Sequence, residues 1–132
     1  MPHSAFLDRL RHIVGAANVL TEGDLIAWEQ DWRRRVHGKA LAVGSPGNTQ
    51  ELAAVVRACA DENISIVPQG GNTGLSVGST PDESGTQVVL SLTRMNAVRH
   101  IDHDNLTMTV AAGSILQSLQ KTAEKKEVQF PL

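Results

Sequence analysis

Four glycines, Gly70, Gly71, Gly74 and Gly78, fall inside the stretch Val67–Gly78, VPQGGNTGLSVG. A short apolar run precedes them, and no lysine occurs between Lys39 and Lys121. Glycine lacks a Cβ, so it takes positive φ freely and lets a ligand come within hydrogen-bonding distance of the backbone. Successive N–H groups can then converge on an anion as a nest, with backbone dipoles in place of a lysine. The chemistry on offer is the binding of a diphosphate without a side-chain cation.

Three phosphate-binding patterns are distinguishable. The pattern G-x-x-x-x-G-K-[ST] needs a lysine that reaches the β- and γ-phosphates, and none stands here. The pattern G-x-G-x-x-G must open a helix. Gly71 and Gly74 match its last two glycines, but Gln69 occupies the first position, and LSVGSTPDESG beyond Gly74 is turn-rich. The residues leave two readings: an amide nest for a diphosphate between a strand and a loop, or a glycine-rich turn without a ligand.

Other reactive side chains carry less. Cys59 is the sole cysteine, so neither an internal disulfide nor a multi-cysteine metal site can form. In LAAVVRACADEN it falls on the apolar side of a predicted helix, as an inert core thiol. HIDHD at 100–104 has the composition of a metal site, yet Asp and Asn around His103 favour a turn, and no metal ligand is expected. His3, His12 and His37 are isolated, and no Ser-His-Asp arrangement follows from spacing. Arg33, Arg34 and Arg35 read as a solvated face, Asp82 with Glu83 and Glu124 with Glu127 as solvated acids, and Arg94 as a loop-pinning residue. Trp28 and Trp32, four apart, are expected to share a helical packing face.

The elements that must position the loop follow from periodicity. Phe6, Leu7, Leu10, Ile13 and Val14 have helical spacing, and residues 1–36 read as a polar helical segment. KALAVG reads as a strand leaving through Ser45-Pro46-Gly47. Asn48 or Thr49 then caps a helix whose apolar side carries Leu52, Val55, Val56 and Cys59. ISIVP follows as a strand stopped by Pro68. This strand–helix–strand unit is expected to be parallel and right-handed. The glycine loop opens at its carboxyl end, where α/β sheets bind ligands. QVVLSL predicts a third strand, and VRHID with LTMTV a hairpin about His103-Asp104-Asn105. SILQSLQKTAEKKEV predicts an amphipathic helix with Ile115, Leu116 and Leu119 inward. Val128, Phe130 and Leu132 alternate like the start of a buried element, so the fold is expected to continue past Leu132.

Composition sets the outer bounds. The chain has 132 residues, 41% hydrophobic and 20% charged, with a net charge of −2, an ordinary globular balance. Without a basic surplus, and with aromatics at 3%, a nucleic-acid partner is not expected. No apolar run approaches the roughly 20 residues of a membrane span. The N-terminal stretch lacks a secretory apolar core, and Asp8 counts against a transit peptide. A cytoplasmic setting is expected, ahead of the mitochondrial matrix.

Taken together, SPGNTQELAAVVRACADENISIVPQGGNTGL, VVLSLTRMNAV, IDHDNLTMTVAAG and FPL resemble the FAD-linked oxidase family of the vanillyl-alcohol oxidase and p-cresol methylhydroxylase type. Within it the resemblance is to the D-2-hydroxyacid dehydrogenases that act on D-2-hydroxyglutarate, D-lactate or glycolate. DWR at 31–33 resembles the family's N-terminal region. The resemblance implies an α+β fold of mixed sheets with flanking helices, the first and incomplete part of an FAD-binding domain. It implies a helical segment over 1–36 and the FAD-binding domain over 37–132. Pro68 would end the strand and direct the loop. Gln69, Gly70, Gly71, Asn72, Thr73, Gly74 and Leu75 would wrap the FAD diphosphate, with Gly78 at its distal end. Ala112 and Gly113 would lie close to the cofactor, and Pro131 and Leu132 would lead toward the flavin ring. In covalent relatives a histidine of this loop bonds the flavin; Asn72 stands there, which implies noncovalent FAD. Where the family often has Gly-Gly, this chain has Val77-Gly78, and valine disfavours positive φ.

The implied activity is oxidation of a small D-2-hydroxy acid to the 2-oxo acid, with electrons passed to an acceptor. The implied base and substrate contacts lie beyond Leu132, so no catalytic residue is named. A homodimer is compatible with this reading. The alternative is a truncated remnant, or a diphosphate-binding module without turnover.

Overall fold

A computed structural model describes residues 3–129. Its elements in chain order are α1 (Ser4–Val14), a 3-10 turn (Ala16–Asn18), β1 (Val19–Leu20), α2 (Ile26–Glu29), β2 (Ala40–Gly44) and α3 (Thr49–Asp61). These are followed by β3 (Ile66–Gln69), β4 (Gln87–Ser91), β5 (Val98–Asp102), β6 (Thr107–Val110) and α4 (Leu116–Lys125). The fold is α+β, as expected.

Four strands form one sheet in the order β1-β2-β4-β3. β1 runs antiparallel to β2, whereas β2 and β3 both run parallel to β4. The unit β2-α3-β3 is therefore parallel, but its two strands are not neighbours: β4 is inserted between them. Residues 70–86 run from the carboxyl end of β3 back to the amino end of β4. The glycine loop is the first part of that crossover.

β2 and β4 are the central strands, and period-2 alternation gives each a buried residue for either face. On one face Ala42, Val88 and Leu90 pack with Phe6, Leu10 and Val14 of α1 and with Val55, Ala58 and Cys59 of α3. On the other, Ala40, Val43 and Val89 pack with Leu25 and the half-buried Trp28. Strict alternation would put Ala40 with Ala42; a register irregularity between them moves Ala40 to the second face.

Helix α3 starts as its sequence demands. The Asn48 side chain accepts from Glu51 N–H at 2.9 Å, satisfying one of the helix's orphan donors. Its buried stripe is Val55, Ala58 and Cys59; Val56, expected on that side, is 40% exposed. Burial pushes the Cys59 thiol up to about 11, so it is protonated at neutral pH.

Several expectations need correction. The first 36 residues are not all helical: after α1 come a 3-10 turn, a strand of the main sheet and the single turn α2. Because α2 ends at Glu29, Trp28 and Trp32 do not share a helical face, and Trp32 is 62% exposed. Pro68 lies inside β3 rather than stopping it, paired with Leu90. Among the described residues β3 is an edge strand, where a missing N–H costs no ladder bond on the open side. Ile115, just before α4, and Leu116, its first residue, are exposed, and Ala123 is the buried residue of α4. β5 and β6 form the expected hairpin as a separate two-stranded sheet.

Candidate FAD-binding loop

The carboxyl ends of β2, β4 and β3 lie on one side of the sheet, because the three strands are parallel. The loops that follow them gather there, the usual place for a ligand in a parallel sheet. Gln69 O accepts from Leu92 N–H at 2.9 Å, joining the end of β3 to the turn after β4. The end of the hairpin packs on that same turn. Gly113 N–H donates to Met95 O at 2.8 Å. A Cβ on Gly113 would stand 1.5 Å from Leu92 O, so close approach of two backbones excludes every other residue. Ala112 beside it is exposed.

The loop is braced from the N-terminal side. Gln69 is 2% exposed, and its Nε2 donates to Trp28 O at 3.0 Å and to Ser79 O at 2.9 Å. Asn72 Nδ2 donates to Ala27 O at 3.0 Å and to Gln30 O at 2.8 Å. Ser79 Oγ donates to Asn72 Oδ1 at 2.9 Å. Arg33 Nη2 donates to Leu75 O at 3.1 Å. The side chains of Gln69 and Asn72 are therefore occupied with protein backbone, which leaves main-chain groups of their neighbours for a ligand.

Expected and observed roles of the glycines differ. Among positive-φ residues are Asn72 (φ 57) and Val77 (φ 66), whereas Gly70, Gly71, Gly74 and Gly78 are not left-handed. A Cβ on any of these four glycines would meet no atom within 4 Å. Glycine serves here to keep the backbone bare along an open face. That face fits an anion that must lie directly against amides. Thr73, Gly74 and Leu75 are exposed along it.

Val77 carries the strain that glycine avoids, since a β-branched residue at φ 66 is an outlier. Substituting Val77→Gly is expected to raise stability by about 1 kcal/mol from that relief, less the entropy glycine loses on folding. Urea unfolding compares the two proteins; a variant clearly less stable than the parent would mean that Val77 is held by packing that outweighs the strain.

Asp31 shapes the turn that carries Arg33. It is buried, and its Oδ1 accepts from Arg35 N–H at 2.7 Å and Val36 N–H at 2.8 Å. The Val36 N–H holds this carboxyl below the ordinary carboxylate range, against the opposing push of burial. A depressed carboxyl contributes stability above its unfolded value of about 3.9, and that stability is lost as pH falls through the folded value. The stability gap between the parent and Asp31→Asn is therefore expected to narrow from pH 6 toward pH 3. A gap independent of pH would show that the charge at Asp31 adds nothing.

The remaining candidates resolve simply. Arg94 Nη1 donates to Ser45 O at 2.6 Å and lies 3.7 Å from Glu51 Oε1, so it pins the loop after β2. Asp102 accepts from the N–H groups of Asp104 and Asn105 at 3.0 and 3.1 Å, so HIDHD is the end of β5 followed by the start of a turn. Pro131 and Leu132 lie outside the described residues. Arg33 and the carbonyls of Ala27 and Gln30 were not expected at the loop, nor was the bond from Ser79 to Asn72; DWR was the one sequence signal near them.

The family model described as an FAD binding domain matches residues 40–132. The chain is 35% identical over 124 residues to a D-2-hydroxyglutarate dehydrogenase of Xanthomonas citri pv. viticola, covering 93% of this chain and 26% of that protein. It is 36% identical over 104 residues to a mitochondrial D-2-hydroxyglutarate dehydrogenase of Bos taurus, covering 77% of this chain and 18% of the relative. The chain thus spans about a quarter or less of these curated relatives. Its fold is similar to that of p-cresol methylhydroxylase, with a TM-score of 0.72 over 94% of this chain and 25% of that one, at 19% identity. The matched residues include the sheet's three parallel strands and the whole bare-backbone loop, and the chain belongs to the FAD-binding domain family.

Proposed function

We propose that this chain is the FAD-holding part of a flavin-dependent dehydrogenase that oxidises a small D-2-hydroxy acid to the 2-oxo acid. The observation that carries it is the open backbone of Gly70, Gly71, Gly74 and Gly78 at the carboxyl end of β3, where no side chain intrudes. The main chain from Gly70 to Leu75, with Gly78, would hold the diphosphate. Gln69 and Asn72 keep that main chain in place, and Arg33 brings a positive charge to it. Gly113 fixes the hairpin against the turn beside the loop, and Ala112 presents the exposed edge. When bound, FAD supplies acceptance of a hydride from the carbon bearing the substrate hydroxyl. The relatives named as D-2-hydroxyglutarate dehydrogenases support the substrate class.

Noncovalent attachment belongs to the same reading: a carboxamide at position 72 is a poor nucleophile, and this one is spent on Ala27, Gln30 and Ser79. A reducing, cytoplasmic setting fits the free, buried Cys59. No helix among the described residues is long and apolar enough to cross a membrane. A homodimer would cover the exposed Leu116 of α4 and Ile115 before it.

The test is to measure FAD and ADP affinity on the same protein. FAD is expected to bind more tightly, and acid precipitation is expected to release the flavin. Equal affinities would leave a plain diphosphate-binding module, and flavin retained by the precipitate would overturn noncovalent attachment.

A further inference from the structure

The segment around α2 has no place in the diphosphate cradle, yet the loop is fastened to it at several points. α2 is a single turn: Ile26 O accepts from Gln30 N–H at 3.2 Å, and the carbonyls that follow it are left to partners outside the helix. Two nearby carbonyls, those of Ala27 and Gln30, receive the carboxamide of Asn72. A carboxamide has two donor hydrogens and an acceptor oxygen. In Asn72 both hydrogens and one oxygen lone pair are used, the last by Ser79 Oγ. Asparagine also tolerates the left-handed φ of 57 that this position takes. Three residues on, Arg33 grips Leu75 O, so two fastenings bracket Thr73 and Gly74.

We propose that Asn72 is a positioning residue, which ties the glycine loop to the α2 segment and sets the loop's shape before any ligand binds. Turning its carboxamide toward a ligand would break three hydrogen bonds at once. The inference rests on the reading of the loop as an FAD cradle, but its first consequence concerns the ligand-free protein.

The experiment combines amide hydrogen exchange of the ligand-free chain with FAD and ADP binding, for the parent, Asn72→Ala, Ser79→Ala and the double variant. In Asn72→Ala, exchange of Thr80, whose N–H is bonded to Val77 O at 3.1 Å in the turn that closes the loop, is expected to accelerate at least ~10-fold, from the loss of the three hydrogen bonds of Asn72. Exchange in β2 and β4 is expected to stay unchanged. Both nucleotides are expected to bind about 10-fold more weakly, since both present a diphosphate. Ser79→Ala is expected to fall between, and the double variant to bind no worse than Asn72→Ala, because Ser79 Oγ acts through Asn72.

Lost affinity with unchanged loop exchange would make Asn72 a direct contact and overturn the proposal. Faster exchange without lost affinity, or faster exchange throughout β2 and β4, would overturn it as well. If the parent binds neither nucleotide, the FAD reading fails, and the exchange of Thr80 alone decides whether Asn72 shapes the loop.

Discussion

Gly113→Ala is expected to lower the melting temperature by ~10 °C or more. The new Cβ would stand 1.5 Å from Leu92 O, 2.3 Å from Leu92 C and 3.0 Å from Met95 O. All three are backbone atoms, so no rotamer change relieves the clash. Either the hairpin or the turn after β4 must move, and overpacking that shifts backbone costs about 3 kcal/mol. In a domain of this size each kcal/mol is worth roughly 3–5 °C. Gly74→Ala is the matched control. Its Cβ would meet nothing within 4 Å, and its φ is not left-handed. Its melting temperature is expected to stay within about 2 °C of the parent, while FAD binding weakens because a methyl group stands on the bare face. Circular dichroism melts and flavin titration read both. Equal melting temperatures for Gly113→Ala and the parent would show that the contact relaxes without cost.

Gln69→Leu is expected to cost about 2–4 kcal/mol in urea unfolding, with the denaturant slope unchanged. Leucine fills similar space but cannot donate. Two carbonyls, Trp28 O and Ser79 O, lose their donor at a position 2% exposed. An unmade buried hydrogen bond costs more than a made one contributes, which is why a single substitution reaches this size. A loss under about 0.5 kcal/mol would mean that water enters and satisfies both carbonyls.

How far the sequence reveals this molecule depends on the range of each interaction. The cap at Asn48, the helix α1 stripe of Phe6, Leu10 and Val14, and the hairpin about residues 103–106 all depend on neighbours within a few positions, and each was legible. So was the place of the glycine loop, since a strand must end before it. The insertion of β4 between β2 and β3 was not legible, because hydrophobic alternation is the same for neighbouring and separated parallel strands. The brace was missed for a related reason: Asn72 meets Ala27 and Gln30 through their carbonyls, and a carbonyl leaves no trace in residue type. Pro68 was misjudged because an edge strand cannot be told from a central one by composition alone. Val56 and Ala58 were exchanged because hydrophobicity ranks valine above alanine, whereas helical rotation puts Ala58 with Val55 and Cys59 against the sheet.

The strand order also dictates a sequence of events in time. During synthesis β2, α3 and β3 leave the ribosome before β4, yet among the described residues the strand that pairs with β3 is β4. Until residues 87–91 arrive, the end of β3 has no ladder to anchor it, and Gln69 O has no Leu92 N–H to meet. The strand end from which the glycine loop starts is thus anchored only after the chain has passed through the crossover and closed the sheet behind it, although the partners that brace the loop, Ala27, Gln30 and Ser79, precede β4 in the chain. Such non-local pairing is slow relative to helix formation. The floor from which the loop rises is therefore completed only once β4 has joined the sheet.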